Sequence, residues 1–285
     1  MSPHPIEDRA RSFISRPAAS PAYTGVPPWL GRDAGSIHGI GRYVDHTLLK
    51  PEATREQVLK LCDEAARFGV KAVCVNGCWV ETCVTRLRGS GVLVATVVGF
   101  PLGAMTSAAK AAETQLALAA GAREVDMVIS IGHVRGGDWA YVEHDIRTVA
   151  MAAAPGLVKV ILETAALEPL QIVAACLAAR TAGAGFVKTS TGFHPGGGAT
   201  VEAVSLMRRA AGSEMGVKAS GGIRTAEAAI MMLAAGASRI GTSNTAEMSA
   251  VLGPSAPTLA ELFGRTISVP LSPEADHPEA RSRLP

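Results

Sequence analysis

Two hydrophobic periods alternate along the central part of the chain. Short apolar runs fall at residues 43–48, 71–75, 93–99, 124–130, 157–163, 186–191, 216–220 and 239–242, and read as strands. Amphipathic stretches at 55–68, 78–88, 107–120, 139–153, 169–182, 200–211 and 225–235 lie between them and predict helices. Gly69, Gly121, Gly183 and Gly236 stand just before the following run, where a left-handed helix stop is expected. Eight strand–helix units in succession fit a closed (β/α)8 barrel better than an open doubly wound sheet. A dinucleotide fold would need a glycine-rich turn after its first strand, and Leu49-Lys50-Pro51-Glu52-Ala53-Thr54 follows instead.

The pattern divides the chain. Residues 1–38 are rich in Pro, Ser, Gly and Arg, show no periodicity, and are expected to form a flexible N-terminal arm; the barrel spans 39–267; residues 268–285 are expected to be a flexible tail. At 285 residues, 48% of them hydrophobic and 18% charged, the chain is long and apolar enough for one large core. Its formal charge of +2 is scattered, and no apolar run is long enough to span a bilayer, so neither nucleic acid nor membrane is expected as a partner. The five cysteines, Cys62, Cys74, Cys78, Cys83 and Cys176, contain no C-x-x-C and read as reduced thiols. Without a compact apolar stretch near the start for export, the expected location is the cytoplasm.

In a barrel the reacting groups gather at the C-terminal ends of the strands. Two lysines sit in such places. Lys188 lies in Phe-Val-Lys-Thr-Ser-Thr-Gly (186–192) and Lys218 in Val-Lys-Ala-Ser-Gly-Gly-Ile-Arg-Thr (217–225). A buried ammonium must be paired or lose its proton. An ordinary lysine has a pKa of about 10.4, and a second cation roughly 5 Å away at an effective dielectric of about 20 repels it by about 3 kcal/mol, enough to lower a pKa by about two. One of the pair is thus expected to be available as the neutral amine, the form that condenses with carbonyls to a Schiff base. The competing expectation is that each lysine bridges a carboxylate inside the barrel.

Asp126, in Glu-Val-Asp-Met-Val-Ile-Ser, is a candidate for proton transfer beside these lysines or else a strand-end capping group. Asp45 on the first strand is a similar case, and Thr47 shares its parity. The loops after the seventh and eighth strands, Ser220-Gly221-Gly222-Ile223-Arg224 and Gly241-Thr242-Ser243-Asn244, suit an anion: glycines let the backbone approach, Ser243 can donate, and a helix opens at Thr225. Simple tight turns are the alternative. The seven histidines are dispersed without H-x-H or H-E-x-x-H; no metal site is expected, and His46, His133 and His194 read as loop or supporting residues. Paired lysines without metal ligands point to imine chemistry, with no cofactor.

Six segments, taken together, resemble deoxyribose-phosphate aldolases: Val-Asp-His-Thr-Leu-Leu-Lys-Pro, Val-Gly-Phe-Pro-Leu-Gly, Glu-Val-Asp-Met-Val-Ile, Lys-Val-Ile-Leu-Glu-Thr, Phe-Val-Lys-Thr-Ser-Thr-Gly-Phe and Val-Lys-Ala-Ser-Gly-Gly-Ile-Arg-Thr, in order between about residues 43 and 244. The resemblance implies a metal-free class I aldolase that cleaves 2-deoxy-D-ribose 5-phosphate to glyceraldehyde 3-phosphate and acetaldehyde. It implies Lys188 as the Schiff-base lysine, Lys218 as the lysine that lowers its pKa, and Asp126 as the aspartate of a proton relay through a water. It further implies Asp45, Thr47 and Cys74 in the substrate pocket, and Gly192, Gly221, Gly222, Gly241 and Ser243 around the phosphate. The partners are then a sugar phosphate and aldehydes, with a homo-oligomer, most simply a dimer, expected. Two features depart from some members: Phe193 stands where they carry a lysine, and the tail ends Arg-Ser-Arg-Leu-Pro without their terminal tyrosine. Another imine-forming barrel aldolase, a transaldolase, or a silent sugar-phosphate binder are the alternative readings of the same residues.

Overall fold

The computed structural model describes residues 4–15 and 26–267. Eight parallel strands close into a barrel in sequential order, β1 pairing with both β2 and β8. They are β1 (Val44–Leu48), β2 (Ala72–Val75), β3 (Leu93–Val98), β4 (Glu124–Val128), β5 (Leu157–Ile161), β6 (Phe186–Lys188), β7 (Gly216–Ser220) and β8 (Arg239–Thr242). The helices are α1 (Pro5–Ile14), α2 (Arg55–Phe68), α3 (Val80–Arg86), α4 (Ser107–Ala119), α5 (Ile131–Gly136), α6 (Trp139–Ala153), α7 (Pro169–Thr181), α8 (Val201–Ala211), α9 (Ala226–Ala235) and α10 (Leu259–Ile267).

Local signals set many of the helix ends. Thr54 caps α2 through a reciprocal pair with Gln57, and Gly69 ends it in the left-handed conformation at φ 61°. Thr106, Thr200 and Thr225 cap α4, α8 and α9 by accepting from backbone N–H groups one turn on. The strands alternate as a pleat requires. Val44, Val73, Val125, Val160, Val187, Val217 and Ile240 join the main core under the helices. The opposite parity faces the barrel interior, and that interior is split. Ala72, Cys74, Ala95 and Val97, with Leu49, form a separate apolar cluster on the β1–β3 side, while charged residues fill the β4–β8 side.

The expected strands at 157–163 and 186–191 are shorter than their apolar runs. Glu163 turns into the left-handed region at φ 58°, and pairing on β6 stops at Lys188. Helices α5 and α10 were not expected. The N-terminal arm, expected to carry no packed element, contains α1, which packs on α7. Its Ile6 and Ala10 are buried four residues apart, and Phe13 lies under the Arg209 guanidinium, 5.1 Å from the ring centre. This explains α7, whose residues Ile172, Val173, Ala174, Ala175, Cys176, Leu177, Ala178 and Ala179 are all buried: one face meets the barrel and the other meets α1. Residues 26–38, the second described part of the arm, bury Leu30 and Ala34, whereas residues 1–3, 16–25 and 268–285, which include the whole expected tail, lie outside the described residues.

Candidate active site

The end of β4 is anchored from behind. Lys110 on α4 is fully buried, donates to the Val128 carbonyl at 3.0 Å, and pairs with Asp145 on α6 at 2.6 Å. In front of this anchor, Asp126 points into the barrel. Its Oδ1 accepts from Lys159 at 2.7 Å, and its Oδ2 accepts from both Lys188, at 2.9 Å, and Lys218, at 2.8 Å. Lys188 and Lys218 are register partners on β6 and β7, so their side chains leave the sheet side by side.

Asp45 extends the network to β1 and β8. Its Oδ2 accepts from Lys218 at 2.5 Å and its Oδ1 from Arg239 at 2.6 Å. Glu124 closes the base by accepting from Arg239 at 3.0 Å and pairing with Lys159 at 2.6 Å. Four cationic side chains thus face three carboxylates, with Asp45, Asp126, Lys159 and Lys218 all 0% exposed. The excess positive charge has a definite place. Lys159, Lys218 and Arg239 each contact two or more carboxylates, whereas Lys188 contacts one oxygen and shares it. Lys188 also keeps the most side-chain exposure of the three lysines, 3% against 1% for Lys218 and 0% for Lys159.

The charges oppose burial throughout. Burial pushes the Asp126 carboxyl up, but Lys159, Lys188 and Lys218 together outweigh it and hold it well below the usual carboxylate range. Asp45 is likewise pushed up by burial and, on balance, held down by Lys218, Arg239 and Lys159. Burial pushes Lys218 down, yet Asp126 and Asp45 raise it above its ordinary value, so it stays a cation. Lys159 follows the same pattern. Lys188 and Lys218 therefore adjoin, and each pairs with a carboxylate, Lys218 with both Asp45 and Asp126 and Lys188 with Asp126 alone. Cys74 lies in the apolar half with its Sγ 3.9 Å from Asp126 Oδ2, and burial followed by that carboxylate raises its thiol pKa.

Other expected positions lie higher or outside. Thr47 donates its hydroxyl to the Asp45 carbonyl at 3.0 Å. Gly192, Gly221 and Gly222 have positive φ of 85°, 85° and 79° in the loops after β6 and β7. Ser243 is exposed and hydrogen-bonds Asn244 at 3.3 Å. Gly241 faces inward, and a β-carbon there would stand 3.0 Å from Lys218 Cε and from Ser220 Cβ; what its missing side chain accommodates is the Lys218 stem. Among the described residues the histidines stay out of the lysine network. His133 hydrogen-bonds Ser130 and stacks on Tyr141, His194 accepts from the Gly196 N–H, and His46 is flanked by Glu64 and Thr245 on the outer face of β1. Among the described residues no group of three or more His, Cys, Asp or Glu is placed to hold a metal ion.

Lys159, Glu124 and Arg239 are members of the network that the sequence reading did not single out. Their signal was present: each is charged, sits in an apolar strand, and shares inward parity with Lys159's partner Asp126 or with Gly241. The chain matches the DeoC/LacD family aldolase description over residues 41–249. It is 54% identical over 204 residues to the deoxyribose-phosphate aldolase of Streptococcus sanguinis strain SK36, covering 72% of this chain and 92% of that protein. The corresponding figures for the Brevibacillus brevis deoxyribose-phosphate aldolase are 54% over 205 residues, 72% and 92%. The crystal structure of the tetrameric deoxyribose phosphate aldolase from Aeropyrum pernix superposes with a TM-score of 0.69 at 33% identity, covering 74% of this chain and 89% of that one.

Proposed function

Since the chain belongs to the DeoC/LacD family of aldolases, we propose that Lys188 is the residue through which it cleaves its substrate, as a covalent imine. The enzyme is a carbon–carbon lyase, a class I aldolase that reversibly converts 2-deoxy-D-ribose 5-phosphate to D-glyceraldehyde 3-phosphate and acetaldehyde. The observation that carries the assignment to Lys188 is its single, shared carboxylate contact beside a Lys218 held as a cation.

Neutral Lys188 Nζ attacks the open-chain aldehyde carbon, and loss of water from the carbinolamine gives an iminium ion. The C3 hydroxyl then loses its proton to the Asp126–Lys218 pair as its C–O bond becomes a carbonyl. The C2–C3 electron pair moves to the iminium, and glyceraldehyde 3-phosphate departs. Protonation of the enamine at C2 and hydrolysis of the resulting iminium release acetaldehyde and restore Lys188. The apolar cluster around Ala72, Cys74, Ala95 and Val97 suits the methyl end of acetaldehyde, which carries no group to hydrogen-bond. Asp45 and Thr47 support the polar part of the pocket, and the loops bearing Gly192, Gly221, Gly222 and Ser243 take the phosphate through backbone N–H groups and the start of α9.

We place the enzyme in the cytoplasm as a homo-oligomer, a dimer being the simplest closed assembly; sedimentation of the full chain tests the latter. The test of the function is borohydride reduction in the presence of acetaldehyde, with mass mapping of the product. An ethyl group on the peptide containing Lys188 is expected. An ethyl group on Lys218, or no adduct in an active preparation, overturns the assignment.

A further inference from the structure

Among the described residues Glu163 is the sole non-glycine residue in the left-handed region, at φ 58° and ψ 62°. A β-carbon makes that conformation unfavourable, so the surroundings must hold it. Glu163 lies just past β5, is 1% exposed, and takes no part in the lysine network. Its carboxylate accepts from one residue. The Thr191 N–H is 3.3 Å from both oxygens, and the Thr191 hydroxyl is 2.5 Å from Oε2. A buried carboxylate is tolerated when donors fill its lone pairs, so Glu163 and Thr191 hold each other.

The residues on either side tie the same two segments. Leu162 N–H donates to the Lys188 carbonyl and Thr164 N–H to the Thr189 carbonyl, each at 2.9 Å. Thr191 Oγ1 in turn accepts from Phe193 N–H at 3.0 Å, closing a turn around Gly192. That turn is packed on the next loop: a β-carbon on Gly221 would lie 3.6 Å from Gly192 Cα, and the Ser220 hydroxyl donates to the Ser190 carbonyl at 2.7 Å.

From this geometry we propose that Glu163 is a positioning residue for the substrate's phosphate end: by seating Thr191 it fixes the Gly192 turn against the Gly221 loop. The inference rests on the aldolase reading above. Glu163 acts on the loop after β6 and not on Lys188, so it should govern substrate affinity and leave imine formation alone.

The test compares Glu163→Gln, Thr191→Val and Thr191→Ser in the full chain. Glu163→Gln should raise KM for 2-deoxyribose 5-phosphate about tenfold, the worth of one charge-assisted hydrogen bond, with kcat nearly unchanged. KM for unphosphorylated 2-deoxyribose and the trapping of Lys188 by acetaldehyde and borohydride should not move. Thr191→Val should reproduce this effect, the double variant should be no worse than either single one, and Thr191→Ser, which keeps the hydroxyl, should restore KM. If Glu163→Gln folds poorly, Thr191→Val gives the same readout. Lowered thermal stability with KM unmoved in both variants, or loss of trapping, overturns the role of Glu163 alone. A wild-type chain inert toward 2-deoxyribose 5-phosphate overturns the aldolase reading, and this one with it.

Discussion

Lys188 and Lys218 donate to one and the same oxygen, Asp126 Oδ2, at 2.9 and 2.8 Å. Asp126 cannot satisfy both ammonium groups fully, and the sharing is unequal because Lys218 has Asp45 as well. The structure thus separates two lysines that the sequence presents alike. One is fixed as a cation within the barrel; the other stands at the edge of the network with a single, shared carboxylate contact. Lys159 supports this division by occupying the second oxygen of Asp126, which leaves Oδ2 alone to serve the pair.

Replacing Lys218 with Leu leaves Asp126 Oδ2 to Lys188 alone, and so stabilises the ammonium form that cannot attack a carbonyl. It also removes the proton carrier beside the scissile bond. Turnover at neutral pH should fall by about a hundredfold or more, the usual range for a lost acid–base group. A pH–rate profile separates the two losses. Partial recovery in alkali marks charge control, whereas a flat residual rate marks a direct role in proton transfer.

Gly241→Ala and Gly222→Val should separate chemistry from affinity. A β-carbon at Gly241 meets Lys218 Cε at 3.0 Å and displaces the lysine stem, so kcat is expected to fall while KM holds. A β-carbon at Gly222 meets no atom within 4 Å, but valine there is forced to φ 79°, which costs about 1–2 kcal/mol and reshapes the proposed phosphate loop. There KM for the phosphorylated substrate should rise, with little change toward 2-deoxyribose. Steady-state kinetics on both substrates checks each half.

Removing residues 1–38 should destabilise the barrel. The deletion uncovers the outer face of α7 and takes away Ile6, Ala10, Leu30 and Ala34, all buried. It also removes the Trp29 indole, which donates to the Leu233 carbonyl at 2.9 Å, and the Leu30 carbonyl that accepts from the Tyr43 hydroxyl at 3.0 Å. Two large apolar side chains at about 1.5–3 kcal/mol each amount to a drop in Tm of roughly 10 °C or more for a domain of this size. Thermal unfolding of the truncated chain measures it. From the lack of periodicity alone, residues 39–267 are expected to fold and keep most of their activity, with Trp29, Leu30 and Ile37 as the arm residues apolar enough to dock.

Stability should be flat from about pH 7 to about pH 8.5 and fall on both sides, the buried thiols Cys74 and Cys176, both raised, being the first to lose their contribution as the pH rises. Asp45 and Asp126 are held below their ordinary pKa, so their contribution is present above about pH 4 and is lost as the pH falls through the folded values. Lys159 and Lys218 are raised, so theirs is complete below about pH 10 and is lost as the pH rises beyond it. His46 adds an earlier acid step. Burial lowers its pKa against the pull of Glu64 and Glu247, so it favours the fold as a neutral ring and opposes it once protonated below about pH 6.5. Tm measured against pH should show a shallow decline below 6.5 and a steeper one below 4, and His46→Asn should remove the shallow step.

The sequence by itself determined the barrel, because strand runs and amphipathic helix periods are local and repeat in register with one another. It also marked Lys188, Lys218 and Asp126, since a charge inside an apolar strand is conspicuous without any knowledge of its neighbours. It could not rank the two lysines. That ranking depends on Asp45, which meets Lys218 across 173 residues, and on Arg239, which meets Asp45 across 194, contacts that exist because β8 closes onto β1. The packing of α1 on α7 and the left-handed turn at Glu163 were hidden for the same reason. A ten-residue helix is stabilised by the surface it covers, and a strained backbone by the loop it holds; neither partner is adjacent in the chain.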